Sequence, residues 1–359
     1  MKKPFMPKEL PIMLGVECEN KLHRKVVDIR VKINRFDMML ERSPVSEMAM
    51  MFFSMNESVE STKIEGTQAT FDEVVEAQTT GKMNTDIQEV NNYLEALSLG
   101  EVLLKNIPIS TRMFHQLHKI LLKDSRGENR SPGEYRKIQN FIGPTDKMKD
   151  ASYIPPEPQL VSEYMGNLEK YINDEFDDDI DPLIKAGIIH AQFETIHPFL
   201  DGNGRLGRIL IMLYLLDKKV ISKPSFFISE ELEKNKFKYY AMLNNLRSDQ
   251  PKWEEWLEFF LVSASNQADK YINKLEKIEE LYYYMKNYAE ENNIDEKYVR
   301  SVFKHLIFTV KDIQKELGVS YNAALSNIKK LADSGKIFSD NSMRNKIYRF
   351  YDLLDVLRG

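Results

Sequence analysis

Apolar positions recur at steps of three and four along most of the chain, the spacing of one face of an α-helix. Between Val45 and Val59 the repeat runs through Met48, Met51, Phe52, Met55 and Val59. From Ile87 to Leu104 it runs through Val90, Tyr93, Leu94, Leu97 and Leu104. Met113–Leu122 predicts a short amphipathic helix that carries His115 and His118. Helical spacing returns in Val161–Tyr171, Pro182–Ile196 and Arg208–Leu216, and a Trp253-x-x-Trp256 helix follows. A charged stretch from Asn266 to Asn292 predicts a connecting helix. One region breaks the pattern. Arg126–Pro158 holds Gly127, Pro132, Gly133, Gly143, Pro144, Pro155, Pro156 and Pro158, which reads as a loop with room for a short β-hairpin turning near Asp146–Asp150. No internal repeat is present.

The end of the chain follows different rules. Val310–Leu317 reads as a helix, Gly318-Val319-Ser320 as a turn and Tyr321–Ala332 as a second helix, with Ser320 placed to cap it. Ser334-Gly335 ends that helix, and Lys336–Ser339 and Lys346–Phe350 read as two short strands around Asp340–Asn345. Helix-turn-helix plus hairpin resembles a winged-helix domain. From Ile294 onward twelve Lys/Arg stand against eight Asp/Glu, whereas the whole chain carries −5. A cationic end on an acidic chain points to an anionic partner.

At 359 residues the chain exceeds one small domain, and its 42% apolar content supports a sizeable core. The longest apolar run, Ile209–Leu216, falls far short of a membrane span. Pro4, Pro7, Lys8 and Glu9 interrupt any signal-peptide core. The single cysteine, Cys18, excludes an internal disulfide and a Cys-rich zinc site. The expectation is a soluble cytoplasmic protein with no membrane partner.

The segment His197-Pro198-Phe199-Leu200-Asp201-Gly202-Asn203-Gly204-Arg205-Leu206-Gly207-Arg208 follows one predicted helix and opens another. Gly202 and Gly204 permit backbone angles that turn successive N–H groups to one side, and the new helix adds its N-terminus. Together these make an anion nest suited to phosphate. Arg205 and Arg208 lie three apart, so both approach one polyphosphate from one helix face. Asp201 beside the nest is a hard oxygen ligand suited to Mg²⁺. His197 takes up a proton near neutral pH, as a general base must. Such an assembly suits phosphoryl or nucleotidyl transfer, where positioning and charge neutralisation supply most of the catalysis.

This segment matches throughout the signature of the Fic (Fido) family, His-x-Phe-x-Asp/Glu-Gly-Asn-Gly-Arg-x-x-Arg. The chain resembles that family on both sides of it as well. Pro132-Gly133-Glu134-Tyr135-Arg136, Gln139-Asn140-Phe141-Ile142-Gly143 and Tyr153-Ile154-Pro155-Pro156 precede it; Tyr239-Tyr240 and Trp253-x-x-Trp256 follow. The resemblance covers Glu41 to Leu261 and implies a mainly α-helical Fic-type core with a β-hairpin flap. The helix-turn-helix tail is also similar to that of longer bacterial members.

What the resemblance implies is adenylyl transfer. AMP moves from ATP to a Ser, Thr or Tyr hydroxyl of a protein, itself included, and pyrophosphate leaves. His197 would deprotonate that hydroxyl, and Asp201 would hold Mg²⁺, or Mn²⁺ in its place. Gly202, Asn203, Gly204, Leu206 and Gly207 would line the phosphate site, while Arg205 and Arg208 would neutralise the β- and γ-phosphates. Ser152, Tyr153 and Ile154 would form the flap that docks the target by strand addition. Tyr239 or Tyr240 would border the adenine. Ser61-Thr62-Lys63-Ile64-Glu65-Gly66 fits the family's inhibitory pattern, Ser/Thr-x-x-x-Glu-Gly/Asn, with Gly66 suited to end a helix. Glu65 paired with Arg208 would deprive the γ-phosphate of its clamp, so the expectation is an autoinhibited enzyme. The divisions implied are an N-terminal helical region 1–108 with the inhibitory motif, a catalytic core 109–265, a connecting helix 266–293 and a winged helix-turn-helix 294–359.

Other readings compete with these. His190, Glu194 and His197 have the spacing of a metal site on one helix face. His23, His115, His118 and His305 offer no constellation and read as structural. Met48, Met50, Met51 and Met55 read as core packing. The acidic run Glu175–Asp181 reads as a solvated loop without EF-hand spacing. The tail serves either DNA binding, through Tyr321, Asn322, Ser326, Asn327, Lys329 and Lys330, or docking and homodimerisation. The whole chain could then be a DNA-binding regulator with a nucleotide-sensing Fic core. A Fic-type transferase or de-adenylylase using another nucleotide or phosphate donor keeps the site and changes the reaction.

Overall fold

A computed structural model of the chain describes residues 3–143, 145, 147–340, 342 and 346–358. In chain order its helices are α1 (Val16–Arg42), α2 (Ser46–Ile64), α3 (Phe71–Thr80), α4 (Thr85–Leu104), α5 (Thr111–Leu121), α6 (Val161–Ile172), α7 (Pro182–Ile196) and α8 (Asn203–Asp217). Then follow α9 (Ser229–Lys234), α10 (Lys236–Leu246), α11 (Trp253–Glu291), α12 (Glu296–His305), α13 (Val310–Leu317), α14 (Tyr321–Ala332) and α15 (Tyr351–Arg358). Strands β1 (Ile307–Thr309), β2 (Phe338–Ser339) and β3 (Ile347–Arg349) form one antiparallel sheet in the order β1-β3-β2. The mainly α-helical class is as expected.

Helices α7 and α8 occupy the centre. Every residue of α7 from Leu183 to Ile196 is buried, and so is α8 from Asn203 to Leu215 apart from Gly204. A helix covered on all sides is a core helix, and here α2, α4, α5, α6, α10 and α11 supply the cover. Asp181 caps α7 by accepting from the Leu183 N–H at 2.8 Å, with Pro182 at the first helical position. The loop between the two helices is therefore held at both ends by buried structure.

Helix α1 lays Leu22, Val26, Ile29, Ile33, Phe36 and Leu40 along α11, with the Phe36 and Tyr271 rings stacked at 5.4 Å. A single helix runs from Trp253 to Glu291, through the expected boundary between 265 and 266. Its polar mid-section is satisfied within the helix, where Ser263 donates to the Phe259 carbonyl at 2.9 Å, and by a tertiary contact from Gln267 to Glu230 at 3.2 Å.

The C-terminal unit holds α13, the turn at Gly318 (φ +63°) and α14 at the expected residues, and Ser320 accepts from the Ala323 N–H at 3.2 Å. Its strands are shorter than expected, and β1 is an addition. Asn341, Met343, Arg344 and Asn345 of the connecting loop lie outside the described residues. The unit rests on α3: Thr79 Oγ1 donates to the Ile307 carbonyl at 2.6 Å, Arg349 pairs with Glu76 at 2.9 Å, and Arg358 pairs with Asp72.

The expected flap hairpin is one antiparallel bridge, Ile142 with Tyr153, among the described residues; Pro144 and Asp146 near its turn lie outside them. The Ser152 and Tyr153 N–H groups both donate to the Ile142 carbonyl, and Pro155 and Pro156 have no N–H to extend a ladder. On the other edge the Phe5 N–H donates to the Ile154 carbonyl at 2.9 Å. Among the described residues no helix is long and apolar enough to cross a membrane.

Candidate active site

His197 ends α7 in the left-handed region (φ 50°), an uncommon conformation for a residue with a side chain. Buried Arg136 holds it there. Its Nε donates to the His197 carbonyl at 2.9 Å and its Nη2 to the Pro156 carbonyl at 2.6 Å, while the Arg136 N–H donates to the Pro198 carbonyl. Asn203 accepts the Phe199 N–H on Oδ1 at 2.9 Å, which aims its amide nitrogen at His197 Nδ1, 3.1 Å away. The Asn140 amide nitrogen lies 3.0 Å from the same ring atom. Burial, then the charges of Arg247 and Arg136, push the His197 imidazole down to about 3, so the ring is neutral at pH 7 and takes up a proton well below the neutral range expected from the sequence.

The next residues build the nest. Gly202 has φ +74° and donates its N–H to Asp201 Oδ1 at 2.5 Å, and Asn203 opens α8. The first N–H groups of α8 have no intrahelical acceptor and face an anion by default. Asp201 is also held from below by His118. The Gly133 N–H donates to His118 Nδ1 at 2.8 Å, so the ring proton sits on Nε2, which donates to the Asp201 carbonyl at 2.9 Å. Fully buried, His118 stacks on Phe199 at 3.8 Å, and burial pushes its imidazole down to about 4.

The two arginines turn to different carboxylates, Arg208 to Glu65 and Arg205 to Asp201 and Glu89. Arg208 is buried; Nε donates to Ser61 Oγ at 2.7 Å, and Nη2 donates to the Ser61 carbonyl at 2.9 Å and to Glu65 Oε1 at 2.7 Å. Gly66 (φ +100°) closes the end of α2 and presents Glu65 in the adjoining turn. Gly204 is where the chains come closest. A Cβ there would lie 2.1 Å from Glu65 Oε1 and 2.9 Å from Arg208 Nη1. The Glu65 carboxylate thus lies against the opening turn of α8. Arg205 lies 3.3 Å from Asp201 Oδ1 and 3.5 Å from Glu89 Oε2, with Nε and Nη1 buried and without a hydrogen-bond partner. Burial alone would raise the Glu89 carboxyl, but Arg126 and Arg205 outweigh it and hold it below the usual range.

Two adjacent tyrosines part company. Tyr239 is buried with its hydroxyl 2.8 Å from His190 Nε2, whereas exposed Tyr240 donates to the Ile64 carbonyl at 3.3 Å, beside Glu65. His190 is thereby engaged away from His197, and the described residues contain no group of three His, Cys, Asp or Glu able to hold a metal. The flap residues divide likewise. Ser152 is exposed, Tyr153 buries its ring under Arg247 and donates to the Thr195 carbonyl at 2.6 Å, and Ile154 is buried. Asp201 suits a Mg²⁺ that takes one protein carboxylate and completes its shell with phosphate and water. Leu206 and Gly207 are buried in α8, with Gly207 packed against Glu194 and His190. Arg136, Asn140 and Glu89 are site residues to which the sequence assigns no role, and His118, read from the sequence as structural, stands beside them. Pro132-Gly133 beside the helix bearing His118 is the nearest signal for one of them.

Two family models match the chain, "Fic/DOC family" over residues 108–215 and "Fic/DOC family N-terminal" over residues 23–101. The first contains the His197–Arg208 segment and the second the Ser61–Gly66 turn. Protein adenylyltransferase Fic of Drosophila yakuba and that of Drosophila melanogaster are each 26% identical over 171 residues, 46% of this chain and 32% of theirs. The chain thus spans about a third of the length of the curated relatives it matches. A solved Fic family protein from Desulfovibrio desulfuricans has a TM-score of 0.61 at 19% identity, covering 96% of this chain and 98% of that one. Fic-1 of C. elegans has a TM-score of 0.53 at 22% identity, covering 72% and 73%. These likenesses show the fold. With two of its models matched over more than half of the residues, the chain belongs to the Fic/DOC family.

Proposed function

We propose that the chain is an autoinhibited protein adenylyltransferase that moves AMP from ATP to a Ser, Thr or Tyr hydroxyl of a protein, with release of pyrophosphate. The observation that carries the reading is Glu65, which pairs with buried Arg208 and lies against Gly204 in the opening turn of α8, within the segment that His197 begins. The names of the curated relatives support it.

In the reaction His197 takes the proton of the target hydroxyl. The oxygen lone pair forms a bond to the α-phosphorus, and the bond from that phosphorus to pyrophosphate oxygen breaks. The α8 N–H groups hold the α-phosphate, and Arg205 and Arg208 hold the charge that collects on the leaving pyrophosphate. Asp201 holds Mg²⁺ or Mn²⁺, which neutralises polyphosphate charge when bound. Extended target docks along Ser152–Ile154. Glu65 blocks the site in two ways, by occupying Arg208 and by lying on Gly204.

The expected divisions enter as part of this reading, with residues 1–108 restraining a core at 109–265, and α11 joining the core to 294–359. For the tail we favour docking over DNA reading, because β1, β3 and α15 are already engaged with α3. A cytoplasmic location completes the reading. The test is incubation of wild type and Glu65→Gly with ATP labelled on the α-phosphate. Protein-bound label in the variant is the expected result. Absence of AMP on any protein by mass spectrometry, with label or mass added from another nucleotide, would overturn ATP as donor.

A further inference from the structure

We infer that His118 is the positioning residue of the phosphate loop, braced so that Asp201 and Gly202 stay in the conformation the anion nest requires. The two ring nitrogens have fixed and opposite tasks. A backbone N–H only donates, so Gly133 makes Nδ1 the acceptor and leaves the proton on Nε2 for the Asp201 carbonyl. The ring therefore bridges the loop that opens at Arg126 and the turn between α7 and α8, using each nitrogen once. Its face is fixed by Phe199, parallel within 12° at 3.8 Å. Gly202 lies directly above, where a Cβ would be 3.4 Å from His118 Nε2, so the ring sets how deep the loop can sink. His118 touches no position a substrate would occupy; it acts through the backbone of Asp201.

The inference rests on the reading of this loop as a nucleotide phosphate site. His118→Phe keeps a flat ring for Phe199 and removes both polar atoms, leaving the Asp201 carbonyl and the Gly133 N–H without partners. His118→Gln restores an amide N–H near the place of Nε2. Both are made in Glu65→Gly, and ATP affinity is measured by calorimetry beside melting temperature and label transfer. The expected result is a loss of ATP affinity of about tenfold in His118→Phe at little changed melting temperature, with His118→Gln recovering most of it. Unchanged affinity in a folded His118→Phe would overturn the inference, as would equal losses in both variants tracking a fall in melting temperature. Should Glu65→Gly bind ATP and transfer no label, the transferase reading fails and the affinities still decide this one.

Discussion

Glu65 Oε1 stands 2.7 Å from Arg208 Nη2 although the two residues are 143 positions apart, and the guanidinium is almost wholly buried while a third of the carboxylate side chain is exposed. The pair is asymmetric in consequence. Solvent screens the carboxylate and weakens the contact, but the tether to α2 keeps it at high local concentration, whereas ATP must arrive from solution.

Glu65→Gly should therefore raise label transfer at least tenfold, since about 1.4 kcal/mol is a factor of ten. Arg208→Ala should be inactive, and adding Glu65→Gly should not rescue it. Equal initial rates for wild type and Glu65→Gly at saturating ATP would make Glu65 an ordinary surface charge. Rescue in the double variant would move the restraint to a different contact.

His197→Ala, tested in the Glu65→Gly background, should cut transfer by about 10²–10⁴-fold and leave ATP affinity largely intact. A variant that keeps more than a tenth of the rate would remove His197 from the role of base.

Transfer should stop on addition of EDTA, and Asp201→Ala should reproduce that loss with the metal present. Full activity of Asp201→Ala at ordinary Mg²⁺ concentration would transfer the metal to another ligand.

The flap makes a separate prediction. The Ile154 carbonyl, an acceptor for an added strand, already receives the Phe5 N–H at 2.9 Å. Phe5→Pro deletes that donor. In the Glu65→Gly background it should raise labelling of an added protein target by about three- to tenfold below saturation. No change would mean that targets approach from elsewhere.

Burial pushes the Glu194 carboxyl up to about 7, with Arg208 opposing. A raised pKa means that the fold favours the protonated form. Its contribution to stability is complete below the unfolded value of about 4.3 and is lost as pH rises through about 7. Glu194→Gln keeps the shape and cannot ionise. Its melting temperature relative to wild type should rise between about pH 5 and about pH 8.5. A difference that stays constant with pH would show that the carboxyl is charged throughout.

The junction of α7 and α8 was legible because Gly202 and Gly204 punctuate one short segment, which also holds the residues proposed as base, nest, metal ligand and cations. Helices α13 and α14 were legible because Gly318 and Ser320 punctuate them locally. The continuity of α11 was not, because its polar middle finds a partner on α9 in Glu230, a contact no local pattern records. His118 reaches Asp201 across 83 positions, and Glu89 reaches Arg205 from a helix with no motif of its own. Adjacent Tyr239 and Tyr240 differ only in the side of α10 they take, which the packing of α7 decides.

The missing side chain at Gly204 makes escape from restraint one-sided. Any larger residue there would evict Glu65 and fill the opening turn of α8 in the same stroke, while any change at Arg208 discards the clamp along with its blocker. A screen for hyperactive clones from random mutagenesis would thus return changes in and around Ser61–Gly66 and none in the first two turns of α8. On the proposed reading, genetic release maps to α2 and never to α8.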